Sequence, residues 1–316
     1  MTESDEIRRR LLRHISALEE HFPLSRLNPL GCGGVADFYT EVNTSHDLID
    51  AVQGAVRSGV PYLVIGEGRH VLFSDGGFPG LVIQNRCQQL VVSPEHTRIM
   101  VDAGLSLDTV IARIADQGLG GLELFYGQDT TVGAAVYNGL TVAGMSILSI
   151  VRGVTILQPR TEGDAALAVV QHPGEWLKVA DGPSRIYRPH TGTGDSYPPI
   201  ILSVALQGTR LRQDELLLRL HDRLSLMQGS RPRGDVLGPI FYCPEGMDLN
   251  LMLKESNAYR LRVGGVFPDR HAPNYLRRKG TVQAKEVGEL IGAMRQRVFE
   301  HFGFDITSKL EPVGVW

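Results

Sequence analysis

The chain lacks most of the marks of an extracellular, metal-binding or nucleic-acid-binding protein. Its 316 residues include only three cysteines, Cys32, Cys87 and Cys243. They lie far apart and form no C-x-x-C pair, which argues against a disulfide framework or a zinc site and fits a reducing cytoplasm. Neither sign of charge dominates: the formal net charge is −3, so no basic surface advertises nucleic acid or an anionic membrane. The opening MTESDEIRRRLLRH is charged and has no apolar core of a signal peptide. Long hydrophobic runs are missing too. One stretch without charge, Thr130 to Val151, is broken by Gly133, Asn138, Gly139 and Gly144, and reads as buried loop and strand rather than a membrane span. No internal repeat or low-complexity tract is visible.

What is present is ordinary globular material, 42% hydrophobic and 21% charged, in a chain long enough for two or three domains with cores of their own. The stretch around which the rest is organised is Tyr62 to Asn85, YLVIGEGRHVLFSDGGFPGLVIQN. Tyr62 to Ile65 is strand-like, and Gly66-Glu67-Gly68 is a turn that small residues tolerate. Gly76-Gly77 and Gly80 punctuate a second apolar run, Leu81-Val82-Ile83. Glycines directly after a buried strand let backbone N–H groups approach an anion, usually a phosphate. A Rossmann fold would need a helix straight after them, but His70-Val71-Leu72-Phe73 continues apolar.

Helical spacing predicts an N-terminal helix over residues 1–22 through Ile7, Leu11, Ile15 and Leu18. Thr44 or Ser45 caps a helix with Leu48, Ile49, Val52 and Val56 on its apolar face. Leu90 to Val92 and Arg98 to Val101 read as a strand pair, and Ser106 as the cap of a helix closed at Gly118. Gly118 to Gly144 is a second glycine-rich region. Val154 to Leu157 and Pro199 to Leu206 read as strands, with a polar, irregular stretch from Thr161 to Ser196 between them. Asp214 to Met227 predicts a helix with Leu216, Leu217, Leu220 and Leu224 on one face. Beyond a linker at Arg231 to Gly234 come a short helix (Leu249 to Lys254), a turn at Gly264-Gly265, a long helix (Gln283 to Phe302) and a last strand near Lys309 to Val315. Strict βαβ alternation fails after Gly118, so the class is α+β.

The order of these motifs resembles the UDP-N-acetylenolpyruvoylglucosamine reductase family, from Asn28 to nearly the end of the chain. Asn28-Pro29-Leu30-Gly31-Cys32-Gly33-Gly34-Val35-Ala36 is similar to that family's N-T-x-G-x-G-G-x-A. Gly66-Glu67-Gly68-Arg69-His70-Val71-Leu72-Phe73 resembles its flavin pyrophosphate loop, G-x-G-S-N and an apolar run. GLGGLE at Gly118 to Glu123 matches the stretch before the second flavin loop, and Thr131-Val132-Gly133-Ala134-Ala135-Val136-Tyr137 resembles that loop, T-V-G-G-A-V-Y. Gly264-Gly265 followed by Arg270-His271-Ala272-Pro273-Asn274 resembles its third-domain G-G-A…K-H-A-N.

The resemblance implies an FAD-binding fold of the p-cresol methylhydroxylase type in residues 23–208, as two subdomains (about 23–85 and 86–208), with a C-terminal α+β substrate domain in 209–316. It implies that NADPH reduces FAD, and that hydride then passes to the enolpyruvyl double bond of a UDP-sugar in peptidoglycan precursor synthesis. It further implies a cytoplasmic monomer. The flavin-binding candidates are Gly66, Glu67, Gly68, Arg69, His70, Val71, Thr131, Val132, Gly133 and Tyr137. Arg188, after Tyr187, matches the family's G-Y-R-x-S arginine. The family's proton-donor serine sits in G-S-x-F-x-N-P. Here that stretch is Gly238-Pro239-Ile240-Phe241-Tyr242-Cys243-Pro244, so proline, which cannot donate, holds the place. Cys243, Tyr242 or a water is then the candidate donor. The place of the family's glutamate holds Lys309, and Glu311, two residues on and on the same face of a strand, is the nearest carboxylate. Three readings stay open: a working reductase, a flavin-binding paralogue with impaired catalysis, or a flavin oxidase of the same superfold with another substrate.

Overall fold

A computed structural model describes residues 3–159, 167–178, 199–227, 232, 234–243 and 247–316. The chain divides into two compact units. One holds Met1–Glu19, Phe38–Glu67 and Gly80–Ser225; the other holds Glu20–Asp37, Gly68–Pro79 and Leu226–Trp316. Strands and helices are mixed in both, and the class is α+β.

The first unit carries two cores. In one, the helix Ser45–Ser58 lays Leu48, Ala51, Val52 and Ala55 against Leu81, Ile83, Ile200 and Leu202. Its start is set locally: the Thr44 side chain accepts from the Asp47 N–H, and Gly59 closes it in a left-handed turn. Each of these buried Leu, Val and Ile side chains contributes roughly 1.5–3 kcal/mol. Tyr62–Ile65 pairs in parallel with Phe78–Asn85, Tyr62 opposite Leu81. The other core lies under a five-stranded antiparallel sheet in the order Leu167–Pro173, Val151–Pro159, Ile200–Gln207, Arg98–Asp102, Leu90–Ser93. The helix Leu107–Ala115 and the short helix Val132–Tyr137 fill it with Val110, Ile111, Ile114, Val132 and Val136.

The second unit is built on the helix Ala284–Phe302, which buries Val287, Leu290, Met294 and Val298 against Phe241, Leu249, Leu253 and Leu276. Its N-terminus is capped twice. Glu286 and Gln283 form a capping box, and the Asp75 carboxylate accepts from the Ala284 and Lys285 N–H groups at 2.8 and 3.0 Å. The strand Val71–Phe73 pairs in parallel with Glu311–Val313.

Several expectations are corrected. The first helix is only Glu3–Leu11, and Glu19–Pro23 is a strand. Ile15 and Leu18 reach the same core as Leu11 from a turn, so their spacing imitated a continuing helix. The charge-free stretch is not loop and strand throughout, because Thr131 caps a helix in it. Leu167–Pro173 is a strand inside the segment read as irregular. On the helix Gln213–Met227 only Leu216 of the expected face is buried, while Leu217 and Leu224 are exposed. The last strand is Glu311–Val313, and Lys309 sits in a bend before it, so the same-face argument relating Lys309 to Glu311 does not hold. Of the linker read at Arg231 to Gly234, Arg231 and Arg233 lie outside the described residues.

Candidate functional site

The first unit joins the two glycine stretches that lie far apart in sequence. Tyr62–Ile65 delivers the chain into Gly66, whose carbonyl accepts from the Gln84 side-chain amide at 3.1 Å. Gln84 is buried, and its Oε1 in turn accepts from the Tyr39 hydroxyl at 2.5 Å. A Cβ on Gly66 would stand 2.9 Å from both Cγ2 and Oγ1 of Thr131. Glycine is therefore required by close approach: the Gly66 turn rests directly on Thr131.

Thr131 is itself fixed, because its hydroxyl accepts from the Ala134 N–H at 3.3 Å and caps the helix ending at Tyr137. The neighbouring donors are spent. Val132 N–H donates to Leu105 O and Gly133 N–H to Ala103 O, at 2.9 and 2.8 Å. Thr131, Val132 and Gly133 thus act as a wall behind the Gly66–Glu67 turn rather than as a second set of anion donors. The sequence motif could not show this, since the partners are carbonyls of another segment. The Gly66 turn is thus packed against a capped helix, the Cβ side of its glycine filled by Thr131.

Gly68, Arg69, His70 and Val71 belong to the second unit. There Glu311 N–H donates to His70 O at 2.9 Å, and Val71 stands opposite Glu311 in the parallel pair. The end of the glycine loop and the candidate carboxylate are therefore neighbours.

Next to them lies the segment that carries Pro239. It is held by Asn274, which is buried: its Oδ1 accepts from Phe241 N–H at 2.8 Å and its Nδ2 donates to Phe241 O at 3.2 Å. Ile240 N–H donates to Asn274 O at 2.9 Å. On the other side Tyr242 N–H donates to Thr307 O at 3.0 Å and Lys309 N–H to Ile240 O at 2.8 Å. These bonds place the Lys309 ammonium over the Tyr242 ring, 5.1 Å from its centre, a cation–π contact.

The electrostatics of this cluster follow from burial. Desolvation lowers the Lys309 pKa, opposed in part by the Cys243 charge. Desolvation first, and then the Glu311 charge, raise that of Tyr242. Desolvation also raises the Glu311 carboxyl. Burial pushes the Cys32 and Cys87 thiols up to about 11 and about 12, leaving them poor nucleophiles, whereas Cys243 is exposed and donates its thiol proton to Met247 O at 3.0 Å.

Of the candidates named from sequence, the structure brings Gly66 to Thr131 in one unit, and His70, Val71 and Glu311 together in the other, with Cys243 beside Tyr242. Arg188 lies outside the described residues. Two residues were given no role by sequence reasoning. Asn274 ends the Arg270-His271-Ala272-Pro273-Asn274 motif, which was a sufficient signal. Lys309 was seen only as a missing glutamate.

Residues 36–162 match the model of an FAD binding domain. Over 314 residues, 99% of each chain, the protein is 25% identical to the UDP-N-acetylenolpyruvoylglucosamine reductase of Geotalea uraniireducens. It is 29% identical to that of Moorella thermoacetica over 93% of this chain and 91% of that one. The crystal structure of the reductase from Thermus caldophilus superimposes with a TM-score of 0.69 at 25% identity, covering 94% of this chain and 98% of that one. The chain is a homologue of the UDP-N-acetylenolpyruvoylglucosamine reductases. The likeness to those reductases runs through both units. Among the described residues no helix is long and apolar enough to cross a membrane.

Proposed function

We propose that the chain is an FAD-dependent reductase that takes electrons from NADPH and saturates the enolpyruvyl double bond of enolpyruvyl-UDP-N-acetylglucosamine, a reaction of peptidoglycan precursor synthesis. The observation that carries this reading is similarity to these reductases over 99% of both chains, second unit included. Residues 23–208 would bind the cofactor and residues 209–316 the sugar nucleotide. A cytoplasmic monomer fits such a role.

Bound FAD would supply hydride transfer, chemistry that no side chain provides. The residues proposed to hold it are Gly66, Glu67, Gly68, Arg69, His70 and Val71, with Thr131, Val132, Gly133 and Tyr137 as supporting wall. An arginine side chain grips a carboxylate or phosphate with two parallel bonds, and Arg188 is proposed for that contact with the substrate. Glu311 is proposed to act at the enolate that forms, since a carboxyl raised by desolvation is protonated more readily and can donate a hydrogen bond. The proton for the second carbon is proposed to come from the Tyr242-Cys243 segment, because Pro239 has no donor.

Pro239 also favours the runner-up, a flavin-binding paralogue with impaired catalysis. The two readings separate in one assay. Oxidation of NADPH under nitrogen should depend on the enolpyruvyl sugar and yield a product two hydrogens heavier. Flavin-loaded protein that gives no such product would select the paralogue, and NADPH-independent reoxidation by oxygen with some other reductant would select an oxidase.

A further inference from the structure

We infer that the Tyr242 hydroxyl is the proton donor of the reduction, held beneath the Lys309 ammonium that stands over its ring. The inference rests on the reductase reading and names the group that reading leaves open between Tyr242 and Cys243.

The geometry is fixed on both sides of Tyr242. Its own N–H is bonded to Thr307 O, Phe241 bridges to Ser308, and the Lys309 N–H returns to Ile240 O. Residues 240–242 therefore cannot slide relative to residues 307–309 without breaking this ladder. Asn274 clamps the same segment through both backbone groups of Phe241. Two residues past Lys309, Glu311 pairs with Val71 and binds His70 O, which ties the cluster to the proposed flavin loop within the same unit. Among the described residues Lys309 has no carboxylate within ion-pair distance, although its amine is largely desolvated. A desolvated cation over an aromatic ring, with no fixed counter-ion, suits a place where negative charge arrives or develops.

Hydride added to one carbon of the double bond leaves an electron pair on its neighbour, conjugated with the substrate carboxylate. The Tyr242 O–H bond breaks and its proton forms the new C–H bond. The oxygen keeps the bonding pair as a phenolate below the Lys309 cation, and water returns the proton. Burial raises the Tyr242 phenol above its ordinary value, so it is protonated at neutral pH, as a donor must be. Cys243, the neighbouring alternative, is exposed and, among the described residues, has no cation over it comparable to Lys309 over the Tyr242 ring.

The test compares Y242F, K309M and C243A with the wild type in the two anaerobic half-reactions, at equal flavin content and melting temperature. Y242F keeps the ring under Lys309 and loses only the hydroxyl. It should accept electrons from NADPH at the wild-type rate and be reoxidised by the enolpyruvyl sugar about 10²–10⁴-fold more slowly. A second readout needs no turnover. The tyrosinate absorbance near 295 nm that Y242F removes should titrate above the ordinary phenol value of about 10 in the wild type, because burial raises it. Glu311 and Cys243, the other ionisable groups facing the pair, are unchanged in both variants. Reoxidation of Y242F at the wild-type rate, a larger loss in C243A than in Y242F, or a Tyr242 titration below the ordinary phenol value overturns the inference. A wild type that NADPH reduces but the sugar never reoxidises overturns the reductase reading and this inference with it.

Discussion

Replacing Asn274 by alanine should cost the second unit more stability than the loss of one polar side chain suggests. The Asn274 amide satisfies both backbone groups of Phe241, a residue with no exposed surface. A buried polar group left without a partner costs about 1–3 kcal/mol, so two cost roughly 2–6 kcal/mol, and water entering the vacated space brings the expectation to roughly 2–4 kcal/mol. N274D keeps an acceptor for the Phe241 N–H but sets a buried carboxylate oxygen against the Phe241 carbonyl, so at neutral pH it should lose at least as much as N274A. Denaturant unfolding followed by two probes is the assay, since a chain of two units need not unfold in one step. The same substitution releases the segment that carries Tyr242. Reduction of the flavin by NADPH should therefore be spared while reoxidation by the sugar slows. A stability loss under about 0.5 kcal/mol in N274A, the range of an ordinary surface change, would refute the clamp.

Three further outcomes are expected. G66A must push Thr131 away from its cap, so FAD should be retained less well, and T131S in the same chain should restore part of it; full retention in G66A would mean that the turn does not face the cofactor. Asp269 is buried, which alone would raise its pKa, but the Ala272 N–H, Arg277 and the His271 N–H hold it below the usual carboxylate range. Its contribution is present above the unfolded value of about 3.9 and lost as pH falls through the depressed folded value, so the gap in urea midpoint between wild type and D269N should close below about pH 4, and a gap constant with pH would contradict this. R188A should weaken sugar-nucleotide binding and leave FAD content unchanged, whereas a larger effect from R185A would misplace the motif.

Elements specified by neighbouring residues were legible in the sequence. Thr44 and Gly59 bracket a helix whose apolar spacing lies between them, and the Leu90 and Arg98 strands alternate across a short turn. Elements that depend on distant partners were not. Ile15 and Leu18 satisfy a helical pattern but reach their core from a turn, and Leu217 and Leu224 satisfy one but stay exposed. The candidate site divides the same way. The Gly66 turn was readable because strand and glycine adjoin in the chain. Its contact with Thr131, the commitment of the Val132 and Gly133 donors, and the pairing of Val71 with Glu311 all join segments far apart in sequence. Lys309 is the sharpest case: in an alignment it is a missing acid, and only the ladder from Ile240 to Lys309 shows it as a cation over Tyr242.

The most direct test of the whole account is stopped-flow absorbance of the FAD-loaded protein without oxygen. NADPH should bleach the oxidised flavin band, and addition of enolpyruvyl-UDP-N-acetylglucosamine should restore it stoichiometrically, with deuterium from D₂O appearing at one carbon of the product. A flavin that NADPH bleaches but the enolpyruvyl sugar leaves bleached would contradict it.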